Sequence, residues 1–166
     1  MHIKIVPLNV DHIDYIMEWV NDSEITQYFA SMRKKVTREE ELEFIKKIIA
    51  SQNDIVYSVF DSDSGDYIGQ VSINQIHWLS GEGRLFMVVV KKHQGKGYGH
   101  EILKAIQDAA FINLQLHRLY LIVRPENVRG IQLYHRCGFR QEGYLYDKYK
   151  IEDQWIDMIQ MAIIRS

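Results

Sequence analysis

The sequence predicts an α/β domain on a mixed, mostly antiparallel sheet, and three observations carry that expectation. Residues 55–90 have the texture of three consecutive strands joined by turns at Asp61 to Asp66 and near Ser80-Gly81, a meander. Leu119 to Val123 is a nearly continuous apolar run, as in a buried strand, and about 20 residues with helical periodicity separate it from Val90, enough for a crossover to a parallel neighbour. Before and after this centre lie apolar stripes at helical spacing and three more strand-like segments, giving about six or seven strands and about four flanking helices in all.

In chain order, Ile3-Lys4-Ile5-Val6 alternates as a first strand, and Val10 to Val20 puts Ile13, Ile16, Met17 and Val20 on one helical face with Asp11 as cap. A second helix spans Arg38 to Ala50, where Thr37 and Glu40 form a capping box. Strands follow at Ile55 to Phe60, Tyr67 to Trp78 and Arg84 to Val90. The helix after Gly97 carries Leu103, Ile106 and Ala110 on its inner stripe and runs to about Asn113. Pro125 stops the buried strand, Asn127 caps a short helix, and Gly138 closes it. Phe139 to Tyr149 and Gln154 to Ile163 are the last strands, turning at Glu152-Asp153.

Composition excludes several classes. With 166 residues, 46% of them hydrophobic, the chain suits a single domain over 1–166 with a sizeable core. A net charge of −2 argues against a nucleic-acid partner, and no run of about 18 apolar residues suggests a membrane span. Cys137 is the one cysteine, which reads as packing, and the seven histidines lack metal-site spacing. A cytoplasmic protein without a metal is expected.

Residues 88–101, Val-Val-Val-Lys-Lys-His-Gln-Gly-Lys-Gly-Tyr-Gly-His-Glu, carry the chemistry. An apolar strand runs into a glycine-rich turn that opens a helix, where unpaired N–H groups favour anions. Gly95, Gly97 and Gly99 clear space, and Lys91, Lys92 and Lys96 add positive charge, so the turn reads as a diphosphate cradle. A nucleotide triphosphatase loop would need Ser or Thr after Gly-Lys, and a dinucleotide fingerprint a glycine at position 100 or 102; neither is present.

What remains, Gln-x-x-Gly-x-Gly from Gln94 to Gly99, resembles the acetyl-coenzyme A signature of the GNAT (Gcn5-related) N-acetyltransferase superfamily. Asn127 to Phe139 resembles the superfamily's Asn-x-x-(Ala/Gly)-Ile-x-Leu-Tyr-x-x-x-Gly-Phe pattern, with Glu142-Gly143 following. The look is nearest the branch holding ribosomal-protein N-terminal and spermidine acetyltransferases. The resemblance implies a GNAT-like sheet with one splayed parallel pair, acetyl-coenzyme A as cosubstrate, and direct attack on the thioester by a primary amine.

Carried over residue by residue, it implies that the strand Met87, Val88, Val89 and Val90 pairs with pantetheine. Gln94, Gly95, Lys96, Gly97, Tyr98, Gly99 and His100 bind the pyrophosphate, Asn127 lies beside the pantetheine arm, and Tyr134 faces the sulfur as general acid. A phenol at that place keeps its proton at neutral pH and can donate it to a thiolate. Glu82 ranks first as general base, with Arg84 equally near and His77 and Asp157 as further options. The loop Phe29 to Val36 is implied to wall the acceptor site; Tyr144, Tyr146, Tyr149 and Trp155 either line an acceptor pocket or pave a sheet face. The amine could be a protein N-terminus, a polyamine or an amino sugar, and a silent coenzyme sensor is the rival class. The superfamily often forms dimers, so a homodimer is an expectation.

Overall fold

In the computed structural model, which describes residues 2–27 and 35–166, seven strands form one sheet in the order β1-β2-β3-β4-β5-β7-β6. β1 (Ile3–Pro7), β2 (Ile55–Asp61), β3 (Tyr67–His77) and β4 (Glu82–Val89) are an antiparallel meander. β5 (Arg118–Val123) lies parallel to β4, and β7 (Gln154–Ile164) pairs antiparallel with β5 and with edge strand β6 (Arg140–Ile151). All seven segments expected to be strands are strands, and the one parallel pair is where the crossover places it.

The helices are α1 (Ile13–Met17), α2 (Ser23–Thr26), α3 (Arg38–Ala50), α4 (Tyr98–Asp108) and α5 (Val128–Arg136). The Thr37–Glu40 capping box closes at 3.0 and 3.1 Å and starts α3. The first helical region differs from expectation. Asn9, not Asp11, is its cap, accepting from the Asp11 amide at 2.8 Å, and a 3₁₀ turn precedes an α1 that ends at Met17. The short α2 was not expected. α4 ends in a wide π turn over Ala109–Asn113, which accounts for the expected length to Asn113.

The sheet divides two cores, and β4 serves both. Leu85 joins Ile102, Leu103, Ile106, Leu119 and Phe139 under α4 and α5, with Met87 and Val89 packed against them. Val88 and Val90 join Ile13, Ile16, Trp19 and Ile45 under α1 to α3, with Phe86 alongside. That split is the two-residue period of a strand buried on both faces.

Candidate active site

β4 and β5 pair only at Glu82–Arg118, Gly83–Leu119 and Arg84–Tyr120, then part, although β4 runs on to Val89 and β5 to Val123. The gap opens into a cleft of about 1220 Å³ that reaches from the glycine turn on the α4–α5 face to α3 on the other. The Val90 amide donates to Ile68 of the β3 side at 2.9 Å, whereas the Val89 carbonyl accepts from the Gln94 side chain at 3.0 Å. Alternation therefore turns the backbone of Val89 and Met87 to the gap and that of Val88 and Val90 to β3. Of the four strand residues implied to pair with pantetheine, two present backbone groups and two do not. A strand interior left without a ladder partner asks for an extended polar ligand.

The turn is shaped by Gly95 and Gly97, with φ of +75° and +90°, values that suit glycine alone among common residues. Gly99 serves helix packing instead, since a Cβ there would lie 2.7 Å from Leu133 Cδ2, and its bareness lets α4 approach α5. Tyr98 braces the turn by donating to Asp61 at 2.7 Å. That bond holds its phenol up at about 12, while amide bonds from Ser64 and Asp63 together with Tyr98 hold Asp61 down at about 2. Buried His93 packs edge-on to Tyr98, and desolvation together with Lys96 and Lys92 keeps it below its ordinary value. Gln94 and His100 line the cleft; Lys96 does not, and Lys91 is engaged by Glu24 of α2.

A cation that the sequence reading missed stands over the turn. Arg129 Nη2 lies 3.0 Å from where a Cβ on Gly95 would be, and Arg129 lines the cleft. Asn127 also lines it, but its amide oxygen is occupied in capping α5, accepting from Gly130 at 3.0 Å. Further along α5, Tyr134 faces the same cleft, edge-on to Phe139 with ring centroids 5.9 Å apart. Burial pushes its phenol up to about 12, and among the described residues its hydroxyl has no hydrogen-bond partner.

None of the expected bases reaches the cleft. Glu82 accepts from Arg118 Nε at 2.6 Å, and Arg118 also clamps Glu142 with two bonds, so this carboxylate is part of an ion-pair cluster behind the gap. His77 accepts from the Ser80 amide at 3.1 Å in the β3–β4 turn, and Asp157 accepts from Asp147 at 2.7 Å and Tyr144 at 3.1 Å, fixing a bulge in β6. Tyr144, Tyr146, Tyr149 and Trp155 lie on the β6–β7 hairpin outside the cleft, where Lys150 sits over Trp155. Residues 29–34 of the loop expected to wall the acceptor lie outside the described residues; Val36 is tied to Asn21 by two bonds of 2.9 Å.

Glu41 and Asp54 line the α1–α3 side of the cleft, with Gln70, Ser72, Asn74 and Arg84. Partial burial acts to raise the Asp54 carboxyl, but bonds from Ser51, Asn74 and the Gln75 amide outweigh it and hold the group below its ordinary value. Among the described residues no group of three or more His, Cys, Asp or Glu could hold a metal ion, and no helix is long and apolar enough to cross a membrane.

A parted parallel pair whose backbone faces a cleft, beside a glycine turn with positive φ and an arginine over it, fits a pantetheine arm ending in a diphosphate. These features define an acyltransferase that uses coenzyme A. The chain belongs to the GNAT acetyltransferase family, whose domain model, Acetyltransferase (GNAT) domain, matches residues 2–140. It resembles the spermidine N(1)-acetyltransferase of Vibrio cholerae, with 31% identity over 108 residues that cover 65% of this chain and 62% of that enzyme. The enzyme of that name from Escherichia coli K12 is 27% identical over 164 residues, covering 98% and 86%. A crystal structure of spermidine N-acetyltransferase from Vibrio cholerae in complex with CoA and spermine superposes with a TM-score of 0.91 at 26% identity, covering 98% of this chain and 95% of that one. The chain is an N-acetyltransferase with acetyl-coenzyme A as cosubstrate.

Proposed function

We propose that the acceptor is a polyamine of the spermidine kind, acetylated on a primary amine by direct attack without an acetyl-enzyme. The observation that carries this reading is the acidic lining of the acceptor side: Glu41 and Asp54 face the cleft beside Trp19, Phe44 and Phe86, a mixture of carboxyl and aromatic groups suited to a flexible polycation. The names of the relatives support the same class. Met87 and Val89 hold the pantetheine through backbone groups, Gly95 and Gly97 with the α4 amides and Arg129 hold the diphosphate, and Tyr134 gives its proton to the departing thiolate. The working unit in this reading is one domain over residues 1–166, cytoplasmic and dimeric, needing no metal.

Thiol release from acetyl-coenzyme A with spermidine, an amino sugar and a peptide N-terminus tests it. The reading expects the highest kcat/KM with spermidine. Preference for the amino sugar or the peptide overturns the polyamine assignment, and coenzyme binding without release in any case would leave the sensor reading.

A further inference from the structure

The cleft holds a cation without an ion-pair partner among the described residues, at the apex of the gap. Arg84 is the last residue of β4 paired with β5, across from Tyr120, so it stands at the apex of the gap. Its side chain shares the face of Phe86 by the strand period, and it lines the acceptor side. Among the described residues it makes no hydrogen bond or ion pair, whereas neighbouring polar groups are engaged elsewhere: Asn74 opposite it on β3 bonds Ser72 and Asp54, and Glu82 bonds Arg118. Tyr120 is raised chiefly by burial, and Arg84 works against that rise. The charged and titratable groups around this point are Glu82, Arg118, Tyr120 of β5 and Tyr149 of β6, with Asp54 bonded to the Asn74 that faces Arg84 and Glu41 also lining the cleft.

We propose that Arg84 lowers the pKa of the acceptor amine, so that the reactive neutral amine forms without a carboxylate base beside it. This rests on the polyamine reading above, and it explains why no carboxylate on β4 faces the cleft. A primary amine has a pKa of about 10, which leaves roughly one molecule in a thousand neutral at pH 7. A guanidinium about 5 Å away in a half-buried site disfavours the second positive charge and lowers that pKa by about 1–2 units, raising the neutral fraction about 10- to 100-fold. Glu41 and Asp54 offset the repulsion by holding the distal ammonium groups, so the polycation still binds. In the reaction, one proton leaves the ammonium to solvent and the nitrogen lone pair forms the C–N bond. The C–S bond then breaks, the thiolate takes the Tyr134 proton, and the second nitrogen proton returns to the phenol through water.

The pH dependence of kcat at saturating acceptor for wild type, Arg84→Met and Arg84→Lys decides the matter, since kcat reports groups in the bound complex; it is measured with the best acceptor of the amine panel and with folding of each variant checked by its melting temperature. Wild type should show an acidic limb below the pKa of the free amine. Arg84→Met should move that limb up by about 1 unit and lower kcat at pH 7 about tenfold, while Arg84→Lys keeps the limb near wild type. Coincident limbs in wild type and Arg84→Met overturn the proposal even if turnover falls. A best acceptor other than spermidine counts against the polyamine reading alone, because the limb still reports on Arg84; no turnover with any amine overturns both.

Discussion

Tyr134 combines three properties rarely found in one side chain: it faces the cleft, its hydroxyl is free of protein partners among the described residues, and burial holds its phenol at about 12. It stays protonated at neutral pH, and in the proposed mechanism its proton goes to the departing sulfur. Tyr134→Phe should lower kcat about 100-fold with little change in the Kd of acetyl-coenzyme A, as expected on losing a general acid; stopped-flow turnover and calorimetry check the two parts. Glu82 is the contrasting case. From the sequence it is the carboxylate nearest the glycine turn along β4, but its partner Arg118 comes from β5, and no local pattern shows which carboxylates a distant arginine will engage. Glu82→Gln should leave kcat/KM unchanged and cost about 1 kcal/mol of stability in thermal unfolding, as for a partly exposed ion pair.

At the level of elements, strand and helix identity was legible because burial on one sheet face imposes period two, burial on both a continuous apolar run as at Leu119 to Val123, and burial of a helix face a stripe. The seven strands and the Thr37 cap follow from that. Asn9 was missed as a cap because Asp11 is of an equally good type, and only the backbone decides between them. Arg129 was missed because its reach over Gly95 depends on how α5 docks against α4, a contact set by Gly99 and Leu133 and not by neighbours in sequence. The glycine turn itself was legible, although its glycines divide the work. Gly97→Asp should weaken coenzyme A binding at least about 100-fold, since a carboxylate would replace a left-handed glycine beside the diphosphate. The Asp61–Tyr98 bond that braces this turn carries a pH signature. The carboxyl is depressed from 3.8 to about 2 by folding, so its contribution is present above the unfolded value and is lost as pH falls from 3.8 towards 2. Acid unfolding of Asp61→Asn should accordingly be flatter than that of wild type between those values.

The whole molecule is a sheet cut by one parallel pair, with each face covered by different helices and the cut left open as the site. In the proposed reading, donor and acceptor enter from opposite faces and meet at the apex beside Arg84. Coenzyme A at a hundredfold excess over its Kd should stabilise the fold by about 2.7 kcal/mol, a rise of about 5–10 °C in Tm, because it bridges β4, β5, α4 and α5. The amine class was left open by the sequence because acceptor-side carboxylates such as Glu41 and Asp54 sit in segments with no motif, and they become a wall only when α3 and β2 pack together. The central claim, acetyl transfer in this cleft from the coenzyme to a polyamine, is tested most directly by mass spectrometry of spermidine incubated with acetyl-coenzyme A and the protein, with free thiol counted in parallel. Equal amounts of monoacetylated spermidine and thiol are expected; thiol without acetylated amine, or neither product, would contradict the account.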